Sequence, residues 1–367
     1  MIAALSILIL SKCWGTYSAR GTFFTLSNSK VPDATQESGV TALATLGSYG
    51  VATGNKLGKL EIQEIQRSSG NPTPTSAQFC RSINGASNRP SPIFCLAFAE
   101  SEDLLFSGAG DRYVSVWEKE GKNWICSDTL GPHTGWVRDL LYDRKSGRLH
   151  SIGCNCIETW TLSEAGVWEH WEKSKIESSP LDGATLSSDL LCLSAFQEPY
   201  FLAGGVDGRL HVWNSAKIGS PIRSHSAHNG RVNDITYSSS GFIFSAGNDG
   251  KVLCWQSVSE NFDFKLVTSF EVENSRITCL WASDKVGDLN EFIFCGTNHG
   301  EVVLLALADG GGKLSPISTF QLIQQPIIHC FCVDEQDKDF NLWIGHSNGL
   351  SVYPLSSFVG VKGNESS

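Results

Sequence analysis

The chain has 367 residues, of which 41% are hydrophobic and 18% are charged, and its formal net charge is −10. This composition is typical of a soluble globular protein with a sizeable core. The acidic balance disfavours a protein that neutralises nucleic-acid phosphates with a basic surface, so we expect no direct nucleic-acid partner. No stretch approaches the roughly 20 apolar residues that a membrane-spanning helix needs, and we predict no membrane span.

The N-terminal segment, residues 1–20, leaves several interpretations open. Residues 2–10 are almost wholly apolar, and nothing acidic precedes Asp33. The positive region that begins a secretory signal is absent apart from the amino terminus, whereas a Ser- and Thr-rich, acid-poor composition is typical of an organelle transit peptide. A secretory signal, a transit segment to a plastid or mitochondrion, a disordered extension and a strand of the fold all remain.

Cysteine usage favours a reducing compartment. The 12 cysteines are a small share of the chain, against the roughly 8 to 10% found in secreted domains stapled by disulfides. Five of them lie inside apolar runs, where a free thiol behaves as a small core residue. These are Cys95, Cys192, Cys254, Cys279 and Cys295. We therefore expect a cytoplasmic and/or nuclear protein, with an organelle as the alternative if residues 1–20 form a transit peptide.

A repeated motif of Ser, Asp and Trp runs through the chain. Residues 107–117 and 245–255 both place Asp four positions after Ser and Trp six positions after Asp. Residues 203–213 keep the Asp and the Trp at the same spacing. Weaker copies complete a set of seven at residues 53–62, 151–160, 295–305 and 344–353.

The copies predict a closed ring of β-sheets. Each reads as an apolar strand, a tight turn of Gly, Asp or Asn, and a second strand that leads to the Trp. Successive Trp residues from Trp117 to Trp255 are 43, 53 and 42 residues apart, and a period of about 40 to 45 residues indicates propeller blades. We predict an all-β fold, a seven-bladed β-propeller of four-stranded antiparallel blades.

The two ends of the chain decide how the ring closes. The tail contains three predicted strands, at residues 327–333, 341–345 and 350–354. An open last blade would leave an edge able to pair with any other strand, so we expect an N-terminal strand, residues 21–26, to supply the fourth. The propeller then spans residues 21–356, and residues 357–367 are predicted to be a disordered tail.

The motif resembles that of the WD40-repeat family, although the Trp–Asp pair that names the family is absent and no subfamily is assigned. In that family a His before the blade, a Ser or Thr on its second strand, the turn Asp and the Trp of the third strand form a hydrogen-bonded structural tetrad. The resemblance implies one complete tetrad, at His228, Ser245, Asp249 and Trp255. It implies partial tetrads for Ser107, Asp111 and Trp117, for His133, Ser151 and Trp160 with Asn155 in the place of the Asp, and for Asp207 and Trp213.

Several side-chain clusters resemble active sites but have structural explanations. Cys154 with Cys156, and Cys330 with Cys332, lack the spacing of a four-ligand zinc site. His228 belongs to the implied tetrad, and Ser, His and Asp recur around the ring, whereas an active site occurs once. No phosphate-binding loop with the required Gly and Lys spacing is present. We therefore predict that the chain is not an enzyme and that it uses no metal and no cofactor.

The resemblance also implies where partners bind. Propellers of this family commonly bind other proteins on the face that carries the strand-entry loops and the tight turns. The candidate partner-binding residues on that face are Arg112, Tyr113, Trp136, Arg138, Arg231, Asn233, Asn248 and Arg276. Trp next to Arg is typical of a binding hot spot, and packing of Trp136 over a neighbouring residue is the alternative.

Together these features predict a non-catalytic scaffold or adaptor. It would bind peptide motifs or domains of other proteins and act as a subunit of a larger complex. Two alternatives remain open. One is a subunit of an RNA-processing or chromatin complex, and the other is an enzyme or small-ligand binder that uses the central channel.

Overall fold

The protein is described from a computed structural model. The described residues are 23–24, 39–64, 73–76, 91–121, 123–175, 189–238, 240–258, 262–283, 291–308, 312–336 and 339–355. The predictions made for residues 1–20 and for the tail after residue 356 lie outside these ranges.

Seven sheets make up the described part of the chain, and apart from the N-terminal strand Phe23–Phe24 the strands of each sheet follow one another in chain order. Each sheet is one blade. Blade 1 comprises Val40–Thr45, Val51–Asn55, Leu60–Glu64 and Thr73–Ser76. Blade 2 comprises Ile93–Ala99, Leu104–Ala109, Val114–Glu120 and Asn123–Leu130. Blade 3 comprises Val137–Asp143, Arg148–Gly153, Cys156–Leu162 and Trp168–Lys175.

The remaining four blades repeat this arrangement. Blade 4 comprises Leu190–Ala195, Tyr200–Gly205, Arg209–Asn214 and Arg223–Ser226. Blade 5 comprises Val232–Tyr237, Phe242–Gly247, Lys251–Ser257 and Phe264–Glu271. Blade 6 comprises Ile277–Ala282, Glu291–Thr297, Glu301–Leu307 and Leu314–Gln321. Blade 7 comprises Ile328–Gln336, Asp339–His346 and Gly349–Pro354. The predicted seven-bladed, all-β propeller is confirmed.

The N-terminal strand attaches at a different place from the one expected. Within residues 21–26, the strand Phe23–Phe24 pairs in parallel with Thr319 and Phe320 of blade 6. Blade 7 therefore has three strands among the described residues, and the predicted fourth strand from residues 21–26 lies beside blade 6 instead. The physical reason is that the outermost strand of blade 6 also offers an unpaired edge, which a short segment can join.

Blades 1 and 7 meet through close backbone packing. A Cβ on Gly39, just before blade 1, would lie 2.3 Å from the carbonyl oxygen of Ser347 in blade 7, so only glycine fits there. Val51 of blade 1 packs with Cys332 and Trp343 of blade 7 in one buried cluster. Contact between the first and last blades thus closes the ring within the described part of the chain.

The core lies between neighbouring blades. Phe244 and Cys254 of blade 5, for example, pack against Ile277 and Leu280 of blade 6. Burial of each such large apolar side chain contributes about 1.5 to 3 kcal/mol. The five cysteines predicted to be core residues are all buried, which confirms that prediction.

One position of the innermost strand carries a thiol or a carboxyl group in six of the seven blades. Four blades carry a thiol there, from Cys95, Cys192, Cys279 and Cys330. Blades 3 and 5 carry Asp139 and Asp234 instead, and each carboxylate accepts a hydrogen bond of 2.7 Å from a backbone N–H of the following blade. Burial raises the pKa of both carboxyl groups to about 7.

Candidate functional site

The upper face of the propeller is defined here by two sets of loops. These are the connections that enter the first strand of each blade and the turns between its second and third strands. Because the strands of a blade are antiparallel, both sets lie at the same end of the sheets. Every residue that the sequence singles out for partner binding therefore lies on or just below this face.

Blade 5 brings together all four residues of its implied tetrad. The indole N–H of Trp255 donates to Ser245 Oγ at 3.0 Å. Ser245 Oγ lies 2.8 Å from Nε2 of His228, and Nδ1 of the same ring lies 2.9 Å from Asp249 Oδ1. A neutral ring that donates from Nδ1 to Asp249 and accepts the Ser245 hydroxyl proton at Nε2 satisfies every contact. Burial lowers the pKa of His228 despite the neighbouring Asp249, which favours this neutral form.

Blade 3 has Asn155 at the turn where the family has Asp, and its histidine lies near an acidic residue on the third strand instead. Ser151 Oγ lies 2.7 Å from His133 Nε2 and accepts the indole N–H of Trp160 at 2.9 Å. Glu158 on the third strand lies near the other ring nitrogen, with Oε1 3.7 Å from His133 Nδ1, which is too far for a hydrogen bond. Lys173 pairs with the same carboxylate. Sequence reasoning missed Glu158, whose only signal is an acidic residue at a buried position two residues before the Trp.

Blades 2 and 4 bring their implied residues together only in part. Ser107 accepts the indole N–H of Trp117 at 2.9 Å, whereas Asp111 accepts the backbone N–H of Tyr113 at 3.0 Å. In blade 4 the structure does not join Asp207 to Trp213. Asp207 lies 3.3 Å from His211 on the third strand, and the indole of Trp213 donates to the carbonyl of Gly219 at 3.4 Å.

Three side chains form an aromatic–arginine cluster at the inner edge of the upper face. The rings of Phe94 and Trp136 stack with centroids 5.6 Å apart and planes at 25°. The Arg138 guanidinium lies over both rings, 4.8 Å from the Phe94 centroid and 4.9 Å from that of Trp136. Trp136 is still 53% exposed. Trp136 therefore packs on a neighbouring residue and yet presents half of its surface to solvent, and its role in partner binding stays a prediction.

Charged groups of both signs lie around Arg138. Burial lowers the pKa of its guanidinium, and the nearby Arg231 lowers it further, while Asp189 has the opposite effect. Arg231, Arg112 and Arg276 are exposed on the same face.

Arg112 has a left-handed backbone conformation, which is adopted by glycine at the equivalent turn of four other blades. Its φ is 78°, and the equivalent positions of blades 1, 4, 5 and 6 are all glycines with φ between 75° and 77°. Those residues are Gly58, Gly208, Gly250 and Gly300. The left-handed region costs a non-glycine residue about 1 to 2 kcal/mol. An arginine kept at a strained position on an exposed turn indicates that its side chain has a use.

The strain at Arg112 yields a stability prediction. We expect Arg112→Gly to be more stable than Arg112→Ala by about 1 kcal/mol, because alanine keeps the Cβ that disfavours the left-handed region, whereas glycine relieves it at some entropic cost. Chemical denaturation of both variants measures the difference. Equal stability of the two variants would show that the turn is not strained.

The two candidate asparagines, Asn233 and Asn248, form hydrogen bonds within the propeller. The Asn233 amide donates to Asn248 Oδ1 at 2.9 Å and to the backbone carbonyl of Ile277 at 2.6 Å. This pair links blade 5 to blade 6 and is less available to a partner than the arginines. Tyr113 is half-buried, close to Gly131 in the connection that enters blade 3.

The opposite end of the central channel has both apolar and polar residues in its lining, among the latter Thr45 and Asp334. A cavity there is bounded by Leu43, Leu96, Phe98, Trp281, Phe331 and Val333. Charged groups at its margin include Glu100 and Arg144, which form an ion pair at 3.4 Å. Among the described residues, no group of His, Cys, Asp or Glu has the arrangement of a metal site. No helix in that part of the chain is both long and apolar enough to cross a bilayer.

Comparison with known proteins finds repeats of one kind. The family model described as WD domain, G-beta repeat matches residues 78–118 and 219–256. The chain is similar to the nuclear distribution protein PAC1 of Arthroderma benhamiae, at 24% identity over 213 residues, which is 54% of this chain and 43% of that protein. It is also similar to the WD repeat-containing protein JIP5 of Saccharomyces cerevisiae, at 24% identity over 62% of this chain and 47% of that protein.

A third relative is the p21-activated protein kinase-interacting protein 1-like of Xenopus laevis. It is 25% identical over 52% of this chain and 60% of that protein. The chain thus spans about half the length of the relatives that it matches.

Proposed function

Because this chain belongs to the WD40-repeat family of β-propellers, we propose that it is a non-catalytic scaffold that binds other proteins on its upper face. The observation that carries the proposal is the cluster of Phe94, Trp136 and Arg138, in which a half-exposed Trp is braced by a second ring and a guanidinium. Trp and Arg are the residues most enriched at energetic centres of protein interfaces.

Rigidity supports the same proposal. Phe94 and Arg138 lie on the innermost strands of blades 2 and 3, each at an irregularity between two residues that pair with the second strand of the same blade. Side chains held on a sheet lose little conformational freedom when a partner binds, so more of the contact energy appears as affinity. The Xenopus laevis relative is named as a kinase-interacting protein, and binding to another protein is a role of this general class.

A subunit of a larger complex in the cytoplasm and/or the nucleus is the setting that we propose. Its partners are peptide motifs or domains of other proteins. A second candidate is a subunit of an RNA-processing or chromatin complex, which the exposed Arg112, Arg231 and Arg276 favour. Direct contact with nucleic-acid phosphates would make binding steeply dependent on salt, so insensitivity to salt would contradict that candidate.

Removal of the aromatic–arginine cluster tests the scaffold proposal. We expect Trp136→Ala combined with Arg138→Ala to weaken partner capture by about 2 kcal/mol or more, which is roughly thirtyfold in Kd. Affinity capture with the full chain, followed by quantitative mass spectrometry and titration of the captured proteins, measures the loss.

The chain offers a matched control on the same blade. Trp171 is 52% exposed and stacks with Arg148, whose guanidinium lies 4.4 Å from its ring, but this pair lies away from the upper face, on the second and fourth strands of blade 3. Trp171→Ala with Arg148→Ala should leave capture unchanged. Equal capture by both double variants and the unaltered chain would refute the proposed site.

A further inference from the structure

The upper face over blades 2 to 6 differs in charge from the chain as a whole. The chain carries a net charge of −10, yet Arg112, Arg231 and Arg276 are exposed on this face and Arg138 is half-buried among them. Three exposed basic residues away from this face have acidic partners. Arg144 pairs with Glu100 at 3.4 Å, Lys145 with Glu198 at 3.0 Å, and Arg223 with Asp263.

The upper-face arginines lack such partners within the described part of the chain. None of Arg112, Arg138, Arg231 and Arg276 forms an ion pair with a carboxylate of the described residues. Arg231 lies near enough to Arg138 to lower the pKa of its guanidinium, and Asp189 is a nearby acid that has the opposite effect. An incoming carboxylate would neutralise more of the positive charge of these guanidinium groups.

The aromatic pair determines what must accompany that carboxylate. Phe94 and Trp136 present a flat apolar surface beside the guanidinium of Arg138. An aliphatic or aromatic side chain placed there buries the exposed half of Trp136 and excludes water from the charge contact, which strengthens it. The surface thus combines an apolar position with the guanidinium of Arg138 directly beside it.

We propose that this upper face binds an acidic peptide segment, whose carboxylates meet Arg112, Arg138 and Arg231 and whose adjacent apolar side chain covers the Phe94–Trp136 pair. The proposal rests on the scaffold function proposed above and names the chemistry of its partner. It also gives the side chain of Arg112 a use that accounts for the strained backbone at that turn.

The charge of the whole chain argues for a peptide over a nucleic acid. Four arginines on a protein of net charge −10 can neutralise a few carboxylates, whereas a polynucleotide presents many phosphates to the acidic remainder of the surface. Carboxylates also match the planar fork of a guanidinium in bidentate geometry.

Three labelled peptides of equal length test the proposal with the full chain. The first alternates Asp and Glu around a central Leu, the second replaces every acid by its amide, and the third replaces every acid by Lys. In fluorescence anisotropy we expect the acidic peptide to bind at least about tenfold more tightly than the amide peptide, and more weakly as salt screens the charges. Equal binding of the acidic and amide peptides would overturn the proposal, and so would equal or tighter binding of a single-stranded oligonucleotide of the same charge.

Charge reversal locates the contact. Arg138→Glu with Arg231→Glu should weaken binding of the acidic peptide by about tenfold or more. The same variant should bind the Lys peptide, because its new carboxylates attract the Lys side chains. Arg144→Glu, the same change at an exposed arginine of the opposite face, should alter neither. Unchanged binding of the acidic peptide by the Arg138 and Arg231 variant would also overturn the proposal.

This proposal and the scaffold function fail in different ways. If Trp136→Ala with Arg138→Ala abolishes partner capture but the peptides show no preference for acid, the scaffold function stands and its partner is not acidic. If the double variant leaves capture intact, the scaffold site itself is wrong.

Discussion

We expect Ser245→Ala to lower the free energy of unfolding by about 2 to 5 kcal/mol, although it removes a single oxygen atom. That hydroxyl serves two buried partners, the indole N–H of Trp255 at 3.0 Å and Nε2 of His228 at 2.8 Å. Each partner that is left buried without a hydrogen bond costs about 1 to 3 kcal/mol. His228 also loses the contact that fixes its ring toward Asp249. Urea denaturation of the two proteins measures the effect.

Blade 2 provides the matched control. Ser107 accepts the indole N–H of Trp117 at 2.9 Å, and no His stands at the corresponding position of the connection that enters this blade. Ser107→Ala therefore leaves one donor unpaired in place of two groups, and its cost should be about 1 to 3 kcal/mol. Equal losses of unfolding free energy for Ser107→Ala and Ser245→Ala would mean that the additional hydrogen bond between Ser245 and His228 contributes no stability.

The number of blades and most strands were predictable because each blade is built from local chain. A hairpin of period-two strands with a tight turn leaves the same spacing of Ser, Asp and Trp wherever it occurs. The three clear copies align at the turns of Asp111, Asp207 and Asp249, and this alignment predicts the positions of the strands on either side of each turn. Blade 5 forms its full network for the same reason, since His228 and Asp249 lie in adjacent loops.

Contacts between residues that are far apart in the sequence could not be predicted from the spacing of the repeated motif. Glu158 takes up a position beside His133 from the third strand, and no motif links the two residues. Phe94 completes the aromatic pair with Trp136, although 41 intervening residues and a blade boundary separate them. The strand at Phe23–Phe24 pairs with blade 6 because several blades offer an unpaired outer edge, and sequence pattern does not choose between them.

Buried histidines should contribute a loss of stability as the pH falls into the mildly acidic range. Burial lowers the pKa of His150 to about 4 and also lowers the pKa of His133 to about 4. An unfolded histidine titrates near 6.5, so between pH 6.5 and 4 the unfolded chain binds more protons and the folded state is destabilised as pH falls. The stabilisation is complete above pH 6.5 and falls by up to about 3 kcal/mol for each such histidine by pH 4. Unfolding free energies measured across this range give the slope.

His150→Phe isolates one of these contributions. The His150 ring stacks on Phe201 with centroids 4.7 Å apart, and Phe keeps that stack but cannot bind a proton. Near pH 7.5 the variant should be less stable by about 1 kcal/mol, because His150 Nδ1 no longer meets Thr159 Oγ1 at 2.9 Å. As pH falls, the wild-type curve should approach and then cross that of the variant.

A second variant separates titration from hydrogen bonding. Thr159→Val breaks the same bond but retains His150, so it should lose stability near pH 7.5 and keep the wild-type slope in acid. The raised pKa values of Asp139 and Asp234, about 7, act in the opposite direction, because those carboxyl groups lose stabilisation as pH rises toward 7. They are present in all three proteins and cancel in the comparison. Parallel curves for wild type and His150→Phe would show that His150 is protonated as easily in the folded protein as in the unfolded chain.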